Sequence, residues 1–216
     1  MAFLIIILLS LVALAIVAYG SANIHSGMFI EAVCKNPDSD KVMLTYDDGP
    51  DPINTPKLLD VLDKYNIKAT FFMIGEKVDK YPDIVKEVAK RGHTIGNHTY
   101  FHNPWHNFHI HRQYMSELKR TDESMRKLGI DVKDFRPPLG ITTPTVASSC
   151  TRMKYRTWAW TIRSFDTMST PREKVVSRVV KRLKPKAIIL LHDRMDDVDI
   201  VTEKIIIATK EKGLSL

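Results

Sequence analysis

The sequence predicts an α/β protein, a barrel or near-barrel of parallel strands with helices outside it, preceded by a hydrophobic N-terminal helix. Three observations carry this. From Lys41 onward, short β-rich apolar runs alternate with amphipathic helical runs, the signature of a parallel sheet covered by helices. The number of such units favours curling the sheet toward closure over leaving it open. Neither a GxGxxG nor a GxxxxGK[ST] loop is present, so an open nucleotide-binding sheet is not indicated.

The elements follow in order. "AFLIIILLSLVALAIVAY", residues 2–19, carries no charge and is close to the length that spans hydrocarbon. Residues 1–20 are therefore expected to be an uncleaved membrane anchor that leaves the domain outside the cytoplasm. The alternative is a secretory signal cut near Ala18-Tyr19-Gly20. Residues 21–40 are expected to connect this helix to a domain over 41–216. "KVMLTY" reads as a buried strand, and "TPKLLDVLDKYN" as a helix with Leu58, Leu59 and Leu62 on one face. "KATFFMIG" is the second strand, "YPDIVKEVAKRG" a helix between Pro82 and Gly92, and "HTIGNH" a short strand. Residues 107–128 look helical. "DFRPPLG" is an extended segment closed by a turn, "TTPTVASSCTRM" a helix, and "RTWAWTI" one strand. "TPREKVVSRVVKRLK" is a helix with Val175, Val176, Val179 and Leu183 inward, "KAIILLHD" a strand, and "DVDIVTEKIIIATKEKG" the last helix, with "GLSL" as a short final strand.

Composition narrows the partners. The 216 residues are 44% hydrophobic, enough for one domain with a sizeable core. Lys and Arg exceed Asp and Glu by 32 to 25, for a net charge of +7. No basic run interleaved with aromatics accompanies that excess, which argues against nucleic acid. A basic surface also suits an anionic envelope. The two cysteines, Cys34 and Cys150, form neither a disulfide framework nor a CxxC metal pattern; they make one bridge or remain two thiols. Trp105 and Trp158 are candidate sugar platforms or packing residues.

In parallel α/β folds ligands gather at the carboxyl ends of strands, and several polar groups fall there. Asp47 and Asp48 end the first strand. Neighbouring side chains on a strand point to opposite faces, so the two can share a site only if the backbone bends, and Gly49-Pro50 marks a bend. His98 ends the third strand, and on a helix or a helical turn the spacing to His102 would put both imidazoles on one face. Two imidazoles and a carboxylate suit zinc or a similar divalent ion. Such an ion makes adjacent aspartates tolerable: one ligates it and the other stays available as a base. His192, oriented by a carboxylate such as Asp166, is placed to protonate a leaving group. Arg136 is placed to hold the free aspartate, and a backbone N–H of the Pro-Pro-Leu-Gly turn to face an oxyanion.

"TYDDGP", "HTYFH", "RPPLG", "WTIRSFDT" and "LLHD", in this order, resemble the five motifs of polysaccharide deacetylases, the NodB-homology domain or carbohydrate esterase family 4. The resemblance runs from about Val42 to near the C-terminus. It implies a distorted (β/α) barrel that removes acetyl groups from an acetylated polysaccharide, a cell-envelope or chitin-like polymer, with the O-acetyl esters of a glycan as the alternative. It implies Asp47 as base, and Asp48, His98 and His102 as ligands of one divalent metal, Zn2+ first, with Co2+, Mn2+ or Fe2+ as alternatives. It further implies Arg136 beside Asp47, a turn at Pro137, Pro138, Leu139 and Gly140 shaping the acetyl site, and His192 as acid with Asp166 behind it. A monomer is expected. The chain departs from the family pattern at Arg163, Thr167 and Leu139. The altered fourth motif leaves a catalytically weak glycan-binding homologue as a second alternative.

Overall fold

The computed structural model describes residues 1–103, 105–106 and 111–216. Seven strands pair in the order β5-β4-β3-β2-β1-β7-β6, and every pair is parallel. They are β1 (Met43–Gly49), β2 (Thr70–Met73), β3 (Thr94–Asn97), β4 (Asp134–Phe135), β5 (Arg156–Thr157), β6 (Ile162–Arg163) and β7 (Ile188–His192). The helices are α1 (Ala2–Ala22), α2 (Asn54–Lys64), α3 (Gly75–Lys80), α4 (Pro82–Lys90), α5 (His111–Lys127), α6 (Pro144–Met153), α7 (Arg172–Val180) and α8 (Val198–Glu211). The sheet curls into an open barrel, as the alternation predicts. The N-terminal part of the expected 107–128 helix, residues 107–110, lies outside the described residues.

Strand alternation sorts the side chains into two layers. On β1, Leu44 and Tyr46 join the core between sheet and helices, as do Ile189 and Leu191 on β7. Met43, Ile188 and Leu190 instead pack inside the curl with Phe72, Trp158 and Trp160. Thr45 and Asp47 share that inner face and both receive the Arg136 guanidinium. The barrel interior is thus apolar at its base and polar at its mouth.

Three expectations need correction. "RTWAWTI" is not one strand: Arg156–Thr157 and Ile162–Arg163 lie at opposite edges of the sheet, and Trp158 to Thr161 cross the gap between them. A continuous apolar run cannot encode such a gap, because Thr157 to Trp160 and Ile162 are buried on both sides of it. "GLSL" is not a strand; its Ser215 carbonyl accepts from the Val42 N–H, 2.8 Å away. Gly75, expected to end the second strand, instead opens the short helix α3.

The stretch between α1 and β1 packs onto the domain. Val33 N–H donates to the Thr157 carbonyl, Ala159 N–H to the Val33 carbonyl, and Asn36 N–H to the Lys186 carbonyl. This stretch therefore fills the opening between the two sheet edges. Ile24 is buried with Trp158 and Trp160. The C-terminal end of α1 meets the turn after β4: Thr142 donates its N–H to the Ser21 carbonyl and its hydroxyl to the Gly20 carbonyl. The rest of α1 is an exposed apolar helix long enough to cross a membrane. Both cysteines are free thiols. Trp158 is packing, buried and donating its indole N–H to Asp134, whereas Trp105 is exposed.

Candidate active site

The carboxyl ends of the strands converge on a cavity of about 90 Å3, lined by Asp47, Asp48, His98, His102, Leu139, Gly140, Trp160, Arg163, Thr167, Leu190, His192 and Arg194. Wider grooves of about 580 and 590 Å3 lie elsewhere, one sharing only Asp166 with the site and one along α5. Neither gathers a comparable set of carboxylates and imidazoles, so the smaller cavity is the chemical candidate.

The adjacent aspartates meet because β1 breaks its own alternation. The β1–β2 register shifts between Asp47 and Gly49, and Asp48 takes a left-handed backbone with φ 73°. That bulge turns an outward-pointing position back toward the mouth. The turn is closely packed beneath: a Cβ on Gly49 would overlap the Asp193 carboxylate.

Asp48 Oδ1 lies 3.5 Å from His98 Nε2 and 3.2 Å from His102 Nε2. Their ligand atoms all fall within 4.8 Å of one another. His98 Nδ1 is 2.7 Å from the Arg136 carbonyl; a carbonyl only accepts, so Nδ1 carries the proton and Nε2 presents a lone pair. Burial pushes His102 down to about 4, with the neighbouring His98 acting in the same direction, so His102 is neutral at pH 7. Burial alone would raise the Asp48 pKa, but the adjacent His98, reinforced by His102 and His192, outweighs it and holds Asp48 far below the usual carboxylate range. Asp48 Oδ1 is buried without a hydrogen-bond partner. An anionic oxygen so placed, facing two imidazole nitrogens, fits a divalent cation.

Asp47 is held differently. Arg136 is completely buried and spans the barrel, donating to Asp47 Oδ1 at 2.7 Å, Thr45 Oγ1 at 2.9 Å and the Ala159 carbonyl at 2.8 Å. Its guanidinium stands over the Phe72 ring, 4.3 Å from the centroid. Asp47 Oδ2 points the other way, 3.8 Å from His98 Nε2. Removing either charge of this pair would strand the other in the interior, at a cost of about 3–5 kcal/mol.

On the far wall, the Asp166 carboxylate grips His192 twice, from ring Nδ1 and from backbone N–H, each at 2.8 Å. Ser164 Oγ donates to the same carboxylate at 2.8 Å. Burial would lower the His192 pKa, but the hydrogen bond and charge of Asp166 outweigh it and raise it. Of the expected turn, Leu139 and Gly140 line the cavity and Pro137 and Pro138 do not. Leu139 and Gly140 both have positive φ, and a Cβ on Gly140 would meet Trp160 at 2.6 Å.

The structure thus brings Asp47, Asp48, His98, His102, Arg136, Leu139, Gly140, Asp166 and His192 to one mouth. Arg194 was not anticipated, and Asp193 was placed at this strand end by the sequence without a role. Arg194 Nε donates to Asp48 Oδ2 at 2.8 Å, and its place directly after "LLHD" was the available signal. Asp193, completely buried, accepts from Thr55 at 2.7 Å and is raised by burial to about 7; it supports the β1 bend from below.

The family model for polysaccharide deacetylase matches residues 35–158. A peptidoglycan-N-acetylglucosamine deacetylase of Bacillus cereus is 35% identical over 179 residues, covering 80% of this chain and 64% of the relative, so the chain spans under two thirds of that protein. Among solved structures, a peptidoglycan N-acetylglucosamine deacetylase superposes with a TM-score of 0.78 at 32% identity, covering 84% of this chain and 87% of the other. A mutant of a CE4 family pseudoenzyme with restored enzymatic activity reaches 0.78 at 25% identity, covering 86% and 68%. The parallel curled sheet with its outer helices is the fold of these proteins, and the chain belongs to the polysaccharide deacetylase family.

Proposed function

We propose that the protein is a metal-dependent hydrolase that removes acetyl groups from the N-acetylated sugars of a cell-envelope polysaccharide. The supporting observation is the Asp48–His98–His102 cluster facing the same cavity as the Asp166–His192 pair. Residues 41–216 form its catalytic domain, residues 1–20 its membrane anchor and residues 21–40 the connection, with the active site outside the cytoplasm.

Asp48, His98 and His102 hold the cation, Zn2+ first among the candidates. When bound, it polarises the acetyl carbonyl and acidifies water. Asp47 accepts the proton of the attacking water at Oδ2, the oxygen that Arg136 leaves unused. In the turn after β4, Pro137 and Pro138 have no N–H, and that of Gly140 donates to the Pro137 carbonyl. The Leu139 N–H is then the amide assigned to the developing oxyanion. His192, its Nδ1–H held by Asp166, protonates the leaving nitrogen from Nε2. Water adds, the C–N bond breaks, and acetate and a free amine leave. The same set would cleave an O-acetyl ester.

Acetate release from N-acetylglucosamine oligomers and from peptidoglycan, before and after chelation, tests this. The expected result is release that chelator abolishes and added divalent metal restores, with Asp47→Asn at least about 1,000-fold slower. Release insensitive to chelator would overturn metal dependence. Absence of release from every acetylated glycan under every metal would leave a glycan-binding homologue.

A further inference from the structure

The cavity wall carries a cation that the proposed mechanism does not use. Asp47 is paired with Arg136, Asp48 with Arg194, and Asp166 with His192. Arg163 lines the same cavity, yet among the described residues no carboxylate pairs with it. Arg163 is exposed, but its guanidinium lies near two aromatic rings. It stands 5.6 Å from the Trp160 ring centroid and 5.0 Å from that of Phe165, and stacking of this kind holds a planar cation in place. Thr167, small and exposed, lines the wall near it. The site therefore presents an exposed guanidinium near two aromatic rings in the same cavity lining as the proposed acid, with Asp47, Asp48 and Asp166 each paired to another cation.

We propose that Arg163 selects an acetamido sugar that carries an anionic substituent, a carboxylate or a phosphate, close to its acetyl group. This rests on the deacetylase reading above and narrows its substrate. A neutral sugar offers Arg163 only hydroxyls. A carboxylate or phosphate takes parallel charge-assisted hydrogen bonds from a guanidinium, which are roughly twice as strong as neutral ones. The half-open wall screens part of that gain, so the preference is modest in size and sensitive to salt.

The test is kcat/KM for acetate release by the full-length protein on four glycans. One is a neutral N-acetylglucosamine oligomer, and one contains N-acetylmuramic acid with its free carboxylate. The third is that same glycan with the carboxylate esterified, and the fourth is an N-acetylglucosamine oligomer bearing a phosphate ester. The wild type is expected to favour at least one free-acid substrate over its neutral counterpart by about tenfold, and which of the two is favoured identifies the anion. Arg163→Gln should bring that ratio close to one, mainly through KM, while R163K retains part of it and raised salt erodes it. A ratio that R163Q leaves unchanged, or an ester processed as well as its acid, would overturn the proposal. If no glycan releases acetate, the deacetylase reading fails by itself. Equilibrium binding of the acid and ester glycans to wild type and R163Q then decides on Arg163, and equal affinities in all four combinations would overturn it.

Discussion

The two sides of the cavity handle histidine in opposite ways. On the β1–β3 side, His102 is pushed down to about 4 by burial and by its neighbour His98, and remains a neutral lone-pair donor. On the β6–β7 side, His192 is buried as well, but the Asp166 carboxylate raises it, which suits a proton donor. Burial acts in the same direction on both rings; at His192 the hydrogen bond and charge of Asp166 outweigh it, whereas at His102 the charges of Asp48 and Asp47 do not. Asp166 grips the ring and the backbone of His192 together. Two titratable groups driven apart across one small cavity mark a division between binding and acid work.

The difference is broken most severely on the metal side. His98→Ala or His102→Ala removes one of the three proposed ligands, and should weaken metal binding by 100-fold or more and abolish acetate release, with a folded apo-protein remaining. Titration with Zn2+ followed by calorimetry checks it. Wild-type affinity in both variants would exclude the cluster as the site.

Breaking the acid side is expected to cost less. Asp166→Asn keeps the shape but removes the charge that raises His192. The alkaline limb of the pH–rate profile should move down, and kcat should fall about 100-fold. A stability effect accompanies it. The folded pKa of His192 lies above its unfolded value, so its contribution is fully present below the unfolded pKa of 6.5 and is lost as pH rises through the folded pKa. D166N should therefore destabilise the protein more at pH 5.5 than at pH 9, measured by urea unfolding. His102 has the opposite sign: its lowered pKa means stability rises with pH between about 4 and 6.5.

The smallest effect sharpens the comparison from beneath. Asp193 is raised by burial to about 7, so its stability contribution is full below 3.8 and is lost as pH rises toward 7. Asp193→Asn mimics the neutral carboxyl and should cost under about 1 kcal/mol at pH 7. D193A leaves Thr55 without its acceptor and should cost about 1–3 kcal/mol. Thermal melts of the two variants at pH 5 and pH 7 separate the cases.

Much of this was legible in the chain because strand ends are marked by chemistry. "TYDD", "GNH" and "LLH" each close an apolar run on a titratable residue, and the parallel topology sends all three to one rim. What pattern could not show was tertiary in origin. The bulge that turns Asp48 inward is a register shift against β2. The break within "RTWAWTI" is invisible because both halves and the crossing between them are apolar or paired. The docking of residues 33–36 across the open edges depends on backbone hydrogen bonds, which any sequence can make. Arg194 looks like an ordinary surface arginine until its place beside Asp48 is seen.

Two imidazoles in one cavity are tuned in opposite directions, and ring-nitrogen NMR titration of the metal-free protein reads that difference ring by ring. His192 should titrate above 6.5 with its proton retained on Nδ1 when neutral, and His102 well below it, near 4. Titration of both rings together near 6.5, or in the reverse order, would contradict the account.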